Sequence, residues 1–191
     1  LWYINSSSQK YRCLMLLLYF TTAMNSYFNG IWKDTNYQYL EHSGYSLVDY
    51  VNNQKPSSVL DVGCGYNRLK DKIQNLVGID PFNDAADIKV SIEEYKSAPY
   101  DIALCLGSIN FGDEKTIDNQ IGKLHTLWRS KAIFRVNPGI PHAGWDDFID
   151  WYQWTPEKIY SIAEQYKYGV ECLKMEYTKE KDLRYFFIYT K

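Results

Sequence analysis

The chain is short of paired cysteines, of positive charge and of long apolar runs, and each shortage excludes a class of function. Its four cysteines, Cys13, Cys64, Cys105 and Cys172, are scattered, with no C-x-x-C pair and no neighbouring histidine. That pattern excludes a zinc ribbon and offers no disulfide framework. Reduced thiols in a cytoplasmic protein are therefore expected, and no metal site is. Basic residues are not in surplus: 21 Lys and Arg stand against 23 Asp and Glu, for a formal net charge of −2. A dedicated nucleic-acid binder shows a basic excess, so DNA is not an expected partner. The longest apolar run is residues 13–20, well short of the roughly 20 residues a transmembrane helix needs. No membrane partner is expected.

What remains is a chain of 191 residues, 46% hydrophobic and 17% aromatic. A single domain of that size buries a sizeable core without a covalent staple, and its aromatic content argues against disorder. Residues 1–23 stand apart from the rest. The run Cys-Leu-Met-Leu-Leu-Leu-Tyr-Phe at 13–20 follows Lys10 and Arg12, yet Thr21-Thr22-Ala23-Met24 offers no small-x-small cleavage site. Translated sequence upstream of a start at Met24, a packing helix and a targeting segment all remain open for this extension. Residues 24–191 read as one domain.

Within that domain strand and helix patterns alternate. Short apolar strands are expected at 58–62, 76–80, 87–90, 101–106 and 131–136, bounded by Gly63, Pro81, Gly107 and Pro138-Gly139. A loosely periodic helical stretch covers 36–51, and a brief helix capped by Asn67 covers 67–75. A longer helix over 113–128 places Ile117, Ile121, Leu124 and Trp128 on one face. Thr155 caps another, with Pro156 at its first position. Two β-rich runs, 170–178 and 184–190, close the chain around a charged turn. Alternation of this kind implies a parallel sheet with helices on both faces. Ligands of such sheets bind outside the carboxyl ends of the strands, so the residues that end each strand are the ones to inspect.

The first of these strand ends reads Val59-Leu60-Asp61-Val62-Gly63-Cys64-Gly65. It resembles the first motif of class I S-adenosylmethionine-dependent methyltransferases. Val77-Gly78-Ile79-Asp80 stands where that family has an acidic strand end, Asp101 to Leu106 resembles its fourth strand, and the last two β runs resemble its closing hairpin. The resemblance covers residues 37–191. It implies a Rossmann-like α/β fold, a mostly parallel seven-stranded sheet with helices on both faces and a C-terminal antiparallel hairpin. It also implies S-adenosyl-L-methionine as cofactor.

The residues suit that cofactor on chemical grounds. Gly63 and Gly65, lacking Cβ, let the backbone approach a ligand closely. A helix opening near Asn67 would aim its amides at the ligand. The carboxylate of Asp80 can accept hydrogen bonds from both ribose hydroxyls, with Cys64 and Pro81 completing the two turns. By the resemblance, Asp61 helps hold the methionine amino group through water, the backbone around Ile92 faces the adenine, and that around Leu106 and Gly107 faces the methionine end.

Two departures from the family pattern stand out. Asn67 occupies a position where the family often has a third glycine, and asparagine tolerates the positive φ that such a turn asks for. The segment Gly107-Ser108-Ile109-Asn110-Phe111 lacks the Asp/Asn-Pro-Pro-Tyr/Phe motif of enzymes that methylate nucleic-acid amino groups, and no Pro-Cys pair occurs. A nicotinamide dehydrogenase would want a third glycine where Arg68 stands, and no Gly-Lys-Ser/Thr loop is present for a nucleotide triphosphate.

Catalytic candidates are sparse. Methyl transfer draws much of its rate from proximity and orientation, and a general base is optional when the acceptor is already nucleophilic. His142, in the loop after the fifth expected strand, is the candidate base, and Asn110 the residue that would orient an acceptor. His125 and His42 read as structural. Trp145, Trp151, Tyr152 and Trp154 form an aromatic cluster suited to stacking, although packing of the following helix accounts for it better. Asp146, Asp147 and Asp150 read as a solvated helix start. The expected activity is transfer of a methyl group to a small-molecule acceptor. A non-catalytic S-adenosylmethionine-binding module is the alternative, and the acceptor and oligomeric state are left open.

Overall fold

A computed structural model describes residues 27, 28, 30, 43–138, 150–177 and 183–191. Residues 1–26, which include the whole extension, and residues 139–149 lie outside them. Strands are β1 (Val59–Val62), β2 (Leu76–Ile79), β3 (Tyr100–Leu106), β4 (Trp128–Val136), β5 (Gly169–Tyr177) and β6 (Leu183–Thr190). Helices are α1 (Val48–Asn53), preceded by a 3-10 turn over Ser43–Leu47, α2 (Glu114–His125) and α3 (Pro156–Tyr166).

Among the described residues the sheet has six strands, in the order β2-β1-β3-β4-β6-β5. The first four are parallel, and β6 and β5 add an antiparallel hairpin at the far edge. The expectation of seven strands is thus corrected. Residues 87–90 contribute only an isolated parallel bridge between Ile88 and Ile79. Two backbone bonds make that bridge, Asp80 N to Ile88 O and Ile88 N to Gly78 O. The remaining edge donor, Gly78 N–H, is taken by the Asp87 side chain at 2.8 Å. A carboxylate therefore does at this edge what a further strand's carbonyl would do.

Side chains alternate across the sheet as strand geometry requires. Leu60, Val62, Ala103, Cys105, Phe134 and Phe187 pack on one face under α2 and α3. Val59, Ile102, Leu104, Ile133 and Ile188 pack on the other, under Leu47, Val51, Leu69 and Ile73. Layers on both faces explain why β1 is buried at every position. α2 is capped by Asp113, whose carboxylate accepts Thr116 N–H. It stops at His125, earlier than its apolar spacing suggested, because Trp128 opens β4. The expected helix at 67–75 is instead a succession of turns, with Asn67, Lys70 and Lys72 donating to Cys64, Asn67 and Leu69. Asn67 takes φ +53°, the conformation that the missing third glycine would have supplied. Cys64, Cys105 and Cys172 are free thiols. Among the described residues no helix is long and apolar enough to cross a membrane.

Candidate functional site

The four parallel strands all end on one edge, so the turns after them face a common crevice. After β1 the chain reverses at Gly63, with φ +65°. Gly63 and Cys64 both donate their N–H to Ile79 O, at 2.8 and 3.0 Å, which folds the loop over the end of β2. A Cβ on Gly63 would lie 2.4 Å from Ser108 Cβ. The turn after β1 and the turn after β3 therefore touch through the absent side chain. Gly78 is equally constrained: a Cβ there would meet Asn67 Oδ1 at 2.4 Å and Cys64 Sγ at 2.8 Å.

Asp80 organises this half of the rim. Its Oδ2 accepts Gly65 N–H at 3.0 Å, and its Oδ1 accepts Phe82 N–H at 2.8 Å and Asn83 N–H at 2.9 Å. A carboxylate offers about four acceptor directions, so three backbone bonds leave little beyond one for a ligand hydroxyl. Asp80 thus shapes the glycine loop and the turn through Pro81 as well as facing the crevice. Its partners in this structure are amides, which the sequence did not reveal. The expected helix-amide contribution from Asn67 onward is replaced by this carboxylate-to-amide network.

Asp61 is buried beneath the same turn. Burial, and then the negative charge of Asp80, push its carboxyl up to about 7. A cation brought beside it would favour the ionised form. Burial also raises the Cys64 thiol well above its ordinary range, aided by Asp61 and Asp80. Cys64 is therefore a packing residue rather than a nucleophile. Ile92 is buried in the core under α2, so only its backbone is free to face a ligand. Leu106 is half-buried, and Gly107 turns the chain after β3 with φ +102°.

Among the described residues, buried polar atoms near this edge without a hydrogen-bond partner include Asn83 Nδ2 and Ser108 Oγ. Buried polar groups are satisfied in all but a few cases, and orphans on both sides of a glycine-lined crevice suit a polar ligand. Neither residue was singled out from the sequence. Asparagine three residues past an acidic strand end, and serine after Gly107, are too common in turns to signal a site. Aromatic rings complete the rim. Phe28 stacks on Phe82 at 5.1 Å and meets Phe111 edge-on at 5.0 Å, and Phe111 packs on Trp151 at 4.6 Å.

Comparison with known proteins rests on structure, since no family model and no curated protein matches the chain. A 1,6-didemethyltoxoflavin-N1-methyltransferase from Burkholderia thailandensis, with S-adenosylhomocysteine bound, superposes with a TM-score of 0.69. The two are 13% identical, over 90% of this chain and 88% of that one. Magnesium protoporphyrin IX methyltransferase from Synechocystis, with S-adenosylmethionine bound, gives 0.64 at 16% identity, over 90% and 97% of the two chains. A small RNA methyltransferase gives 0.59 at 17% identity, over 76% of this chain and 24% of that one. The fold is that of the class I S-adenosylmethionine-dependent methyltransferases.

Within this methyltransferase fold the expected site residues divide. Asp61, Gly63, Cys64, Gly65, Asp80 and Pro81 cluster at the ends of β1 and β2, Leu106 ends β3, and Gly107 and Asn110 come after it. Asn110 is buried, and its Oδ1 accepts Asn137 N–H at 2.9 Å while its carbonyl accepts Tyr152 N–H at 2.8 Å. It braces the turns after β3 and β4 to each other. His142, Trp145, Asp146, Asp147 and His42 lie outside the described residues. His125 meets Tyr168 Oη through Nδ1 at the end of α2, away from the crevice, and burial lowers its pKa. Trp154 is a core residue whose Nε1 donates to Ile109 O, with Tyr152 edge-on against it. Packing thus accounts for these two members of the aromatic cluster. Trp151 instead reaches the rim.

Proposed function

We propose that the protein is an S-adenosylmethionine-dependent methyltransferase acting on a small-molecule acceptor. The observation that carries this reading is the glycine loop drawn over β2 by Asp80, inside a class I methyltransferase fold. The residues fit the cofactor: a carboxylate for the ribose diol, a second buried carboxylate for the amino group, and a backbone crossing at Gly63 that a Cβ would obstruct. Bound there, S-adenosylmethionine supplies an electrophilic methyl whose bond to sulfur breaks, the electron pair staying on sulfur, as the bond to the acceptor forms.

In this reading Asp80 accepts from the ribose through its remaining lone pair, and Asp61 ionises against the methionine ammonium. The backbone around Ile92 borders the adenine, and that around Leu106 and Gly107 positions the methionine end. Asn110 holds the two acceptor-side turns at fixed separation, which is a positioning role. His142 is the residue assigned to take a proton from an acceptor that needs to lose one. The structural neighbours act, by name, on 1,6-didemethyltoxoflavin, on magnesium protoporphyrin IX and on small RNA. A net charge of −2 favours the small-molecule class over nucleic acid.

Thermal unfolding tests the cofactor assignment. S-adenosylhomocysteine at about 100 times its dissociation constant adds about 2.7 kcal/mol by mass action, which raises the Tm by several degrees. Stabilisation by a nicotinamide dinucleotide and not by S-adenosylhomocysteine would overturn the assignment. Methyl transfer from labelled cofactor to any of a panel of small acceptors then separates an enzyme from a binding module.

A further inference from the structure

Arg135 is the only basic residue among the described ones that is buried. It interrupts the apolar run Ala132-Ile133-Phe134 near the carboxyl end of β4, where an unpaired cation would be costly. Its Nε donates to Glu176 Oε1 at 2.5 Å, and its guanidinium lies 5.9 Å from the Phe186 ring. Yet its Nη1 is buried with no acceptor at all. A guanidinium carries five N–H donors in a fixed fork matched to carboxylates and phosphates.

The place of this orphan donor is informative. Arg135 is the register partner of Leu106 on β3, and Gly107 follows directly. The backbone of Arg135 is two strands from β1 in the sheet order, at ~4.8 Å per strand roughly 10 Å from it, and its side chain reaches away from β1, past Phe186 to Glu176 on β5. That is the side of the rim where the acceptor, and not the cofactor, would sit. Lys174 pairs in register with Phe186, which itself pairs with Arg135, and Arg184 pairs with Glu176. Lys174 Nζ lies 3.4 Å from Glu176 Oε2. Arg135 and Lys174 thus share the carboxylate of Glu176.

We propose that Arg135 holds an oxyanion of the methyl acceptor, a carboxylate or phosphate group remote from the atom that receives the methyl. The donor left over at Nη1 engages it, and Lys174 adds charge. This rests on the methyltransferase reading and narrows it to anionic acceptors. The shared chemistry is an oxyanion, and the methionine carboxylate of the cofactor is the competing source that the test separates.

The test titrates benzoate, with benzamide as the neutral control, into the protein saturated with S-adenosylhomocysteine. Benzoate should bind the wild type more tightly than benzamide, and R135M should weaken it at least tenfold. R135K, which keeps charge without the fork, should fall between them, and affinity for S-adenosylhomocysteine should stay within twofold throughout. The double variant R135M/E176Q removes both charges, so it leaves no carboxylate without its cation, and it should likewise lose benzoate. Equal binding of benzoate by wild type and variants overturns the proposal, as does a wild type that prefers benzamide. A tenfold loss of S-adenosylhomocysteine with benzoate unchanged assigns Arg135 to the cofactor and overturns it too. If the wild type fails to bind S-adenosylhomocysteine, the methyltransferase reading falls. The same ratio of wild type to variant, measured with benzoate on the free protein, then still decides the anion site.

Discussion

Behind β1 and β2 the rim is knitted from backbone: the Gly63 and Cys64 amides meet the Ile79 carbonyl, and the Gly65, Phe82 and Asn83 amides converge on Asp80. Behind β3 and β4 it is built from side chains. Asn110 ties the two turns together, Phe111 packs on Trp151, and Ser108 Oγ and Arg135 Nη1 are buried without partners. The first half is over-determined and suits a ligand that is always the same. Each half leaves buried donors unspent, Asn83 Nδ2 in the first and Ser108 Oγ and Arg135 Nη1 in the second, but the second is built from side chains, which suits a ligand that varies between enzymes of one fold. Function lives in sites grafted on folds, and here the graft lies on the β3 and β4 side.

The comparison breaks first at Asp80. Asp80→Ala leaves three amides to find water or another acceptor, each costing about 1–3 kcal/mol when buried. We expect a loss of about 4 kcal/mol in urea unfolding, together with S-adenosylhomocysteine binding weakened by roughly 100-fold. Asp80→Asn separates the two effects. It keeps an acceptor for Phe82 and Asn83 but places a donor against Gly65 N–H, so affinity should fall more than stability does. A variant that keeps both stability and affinity would show that the carboxylate is not the organiser of this half.

Gly63→Ala is next. The left-handed conformation costs an alanine about 1–2 kcal/mol, and overpacking against Ser108 adds about 1–3 kcal/mol, so about 3 kcal/mol is expected overall. Gly107→Ala carries only the conformational share, since nothing lies within 4 Å of a Cβ there. Urea midpoints for the pair measure directly how tightly each half is filled. Equal losses would erase the distinction.

These contrasts show what was legible in the sequence. The glycine loop, the acidic end of β2 and the closing hairpin were readable, because few residue types serve a tight turn, a charged strand end or an alternating strand. The positive φ at Asn67 followed from the same reasoning. The missing strand at 87–90 was not readable, because its edge is capped by a side chain, Asp87, and periodicity cannot register a bond of that kind. Nor was the turn structure at 67–75, where Leu69 and Ile73 have helical spacing but the residues only form turns. The role of Asp80 as an acceptor for amides was hidden for a related reason, since its donors come from two separate turns. Arg135 was invisible among the strand's apolar residues because its register partners on β3 and β6 are set by tertiary pairing.

Asp61 gives a graded test of the first half through pH. Its carboxyl is raised to about 7 by burial, so the folded state holds a proton there that the unfolded chain releases near its ordinary value. Stability from this group is complete below about pH 4 and is lost as pH rises to about 7. At 1.36 kcal/mol per unit, the loss from about pH 5 to about pH 7 is about 2 kcal/mol. Asp61→Asn should remove that slope in denaturation curves. S-adenosylhomocysteine, bringing an ammonium beside the carboxyl, should bind more tightly as pH rises toward 7 and should release a proton below it. Calorimetry in buffers of different ionisation enthalpy reads that proton, and its absence would detach Asp61 from the amino group.

The smallest expected effect lies in the other half. Trp151→Leu removes one ring from the pair with Phe111 but leaves the backbone bonds that flank it, Gly112 N–H to Asp150 O and Tyr152 N–H to Asn110 O. An aromatic pair contributes about 0.5–1.5 kcal/mol beyond its burial, so stability should drop by about 1 kcal/mol. S-adenosylhomocysteine affinity should change by less than twofold, because every donor and acceptor assigned to the cofactor is held by the β1 and β2 turns or by the backbone around Ile92 and after β3. Binding of an aromatic probe such as benzoate should weaken severalfold if the ring lines the acceptor side. A tenfold fall in S-adenosylhomocysteine affinity would place Trp151 against the cofactor. The division of the rim into a backbone-built donor half and a side-chain-built acceptor half would then fail at the residue where it costs least to test.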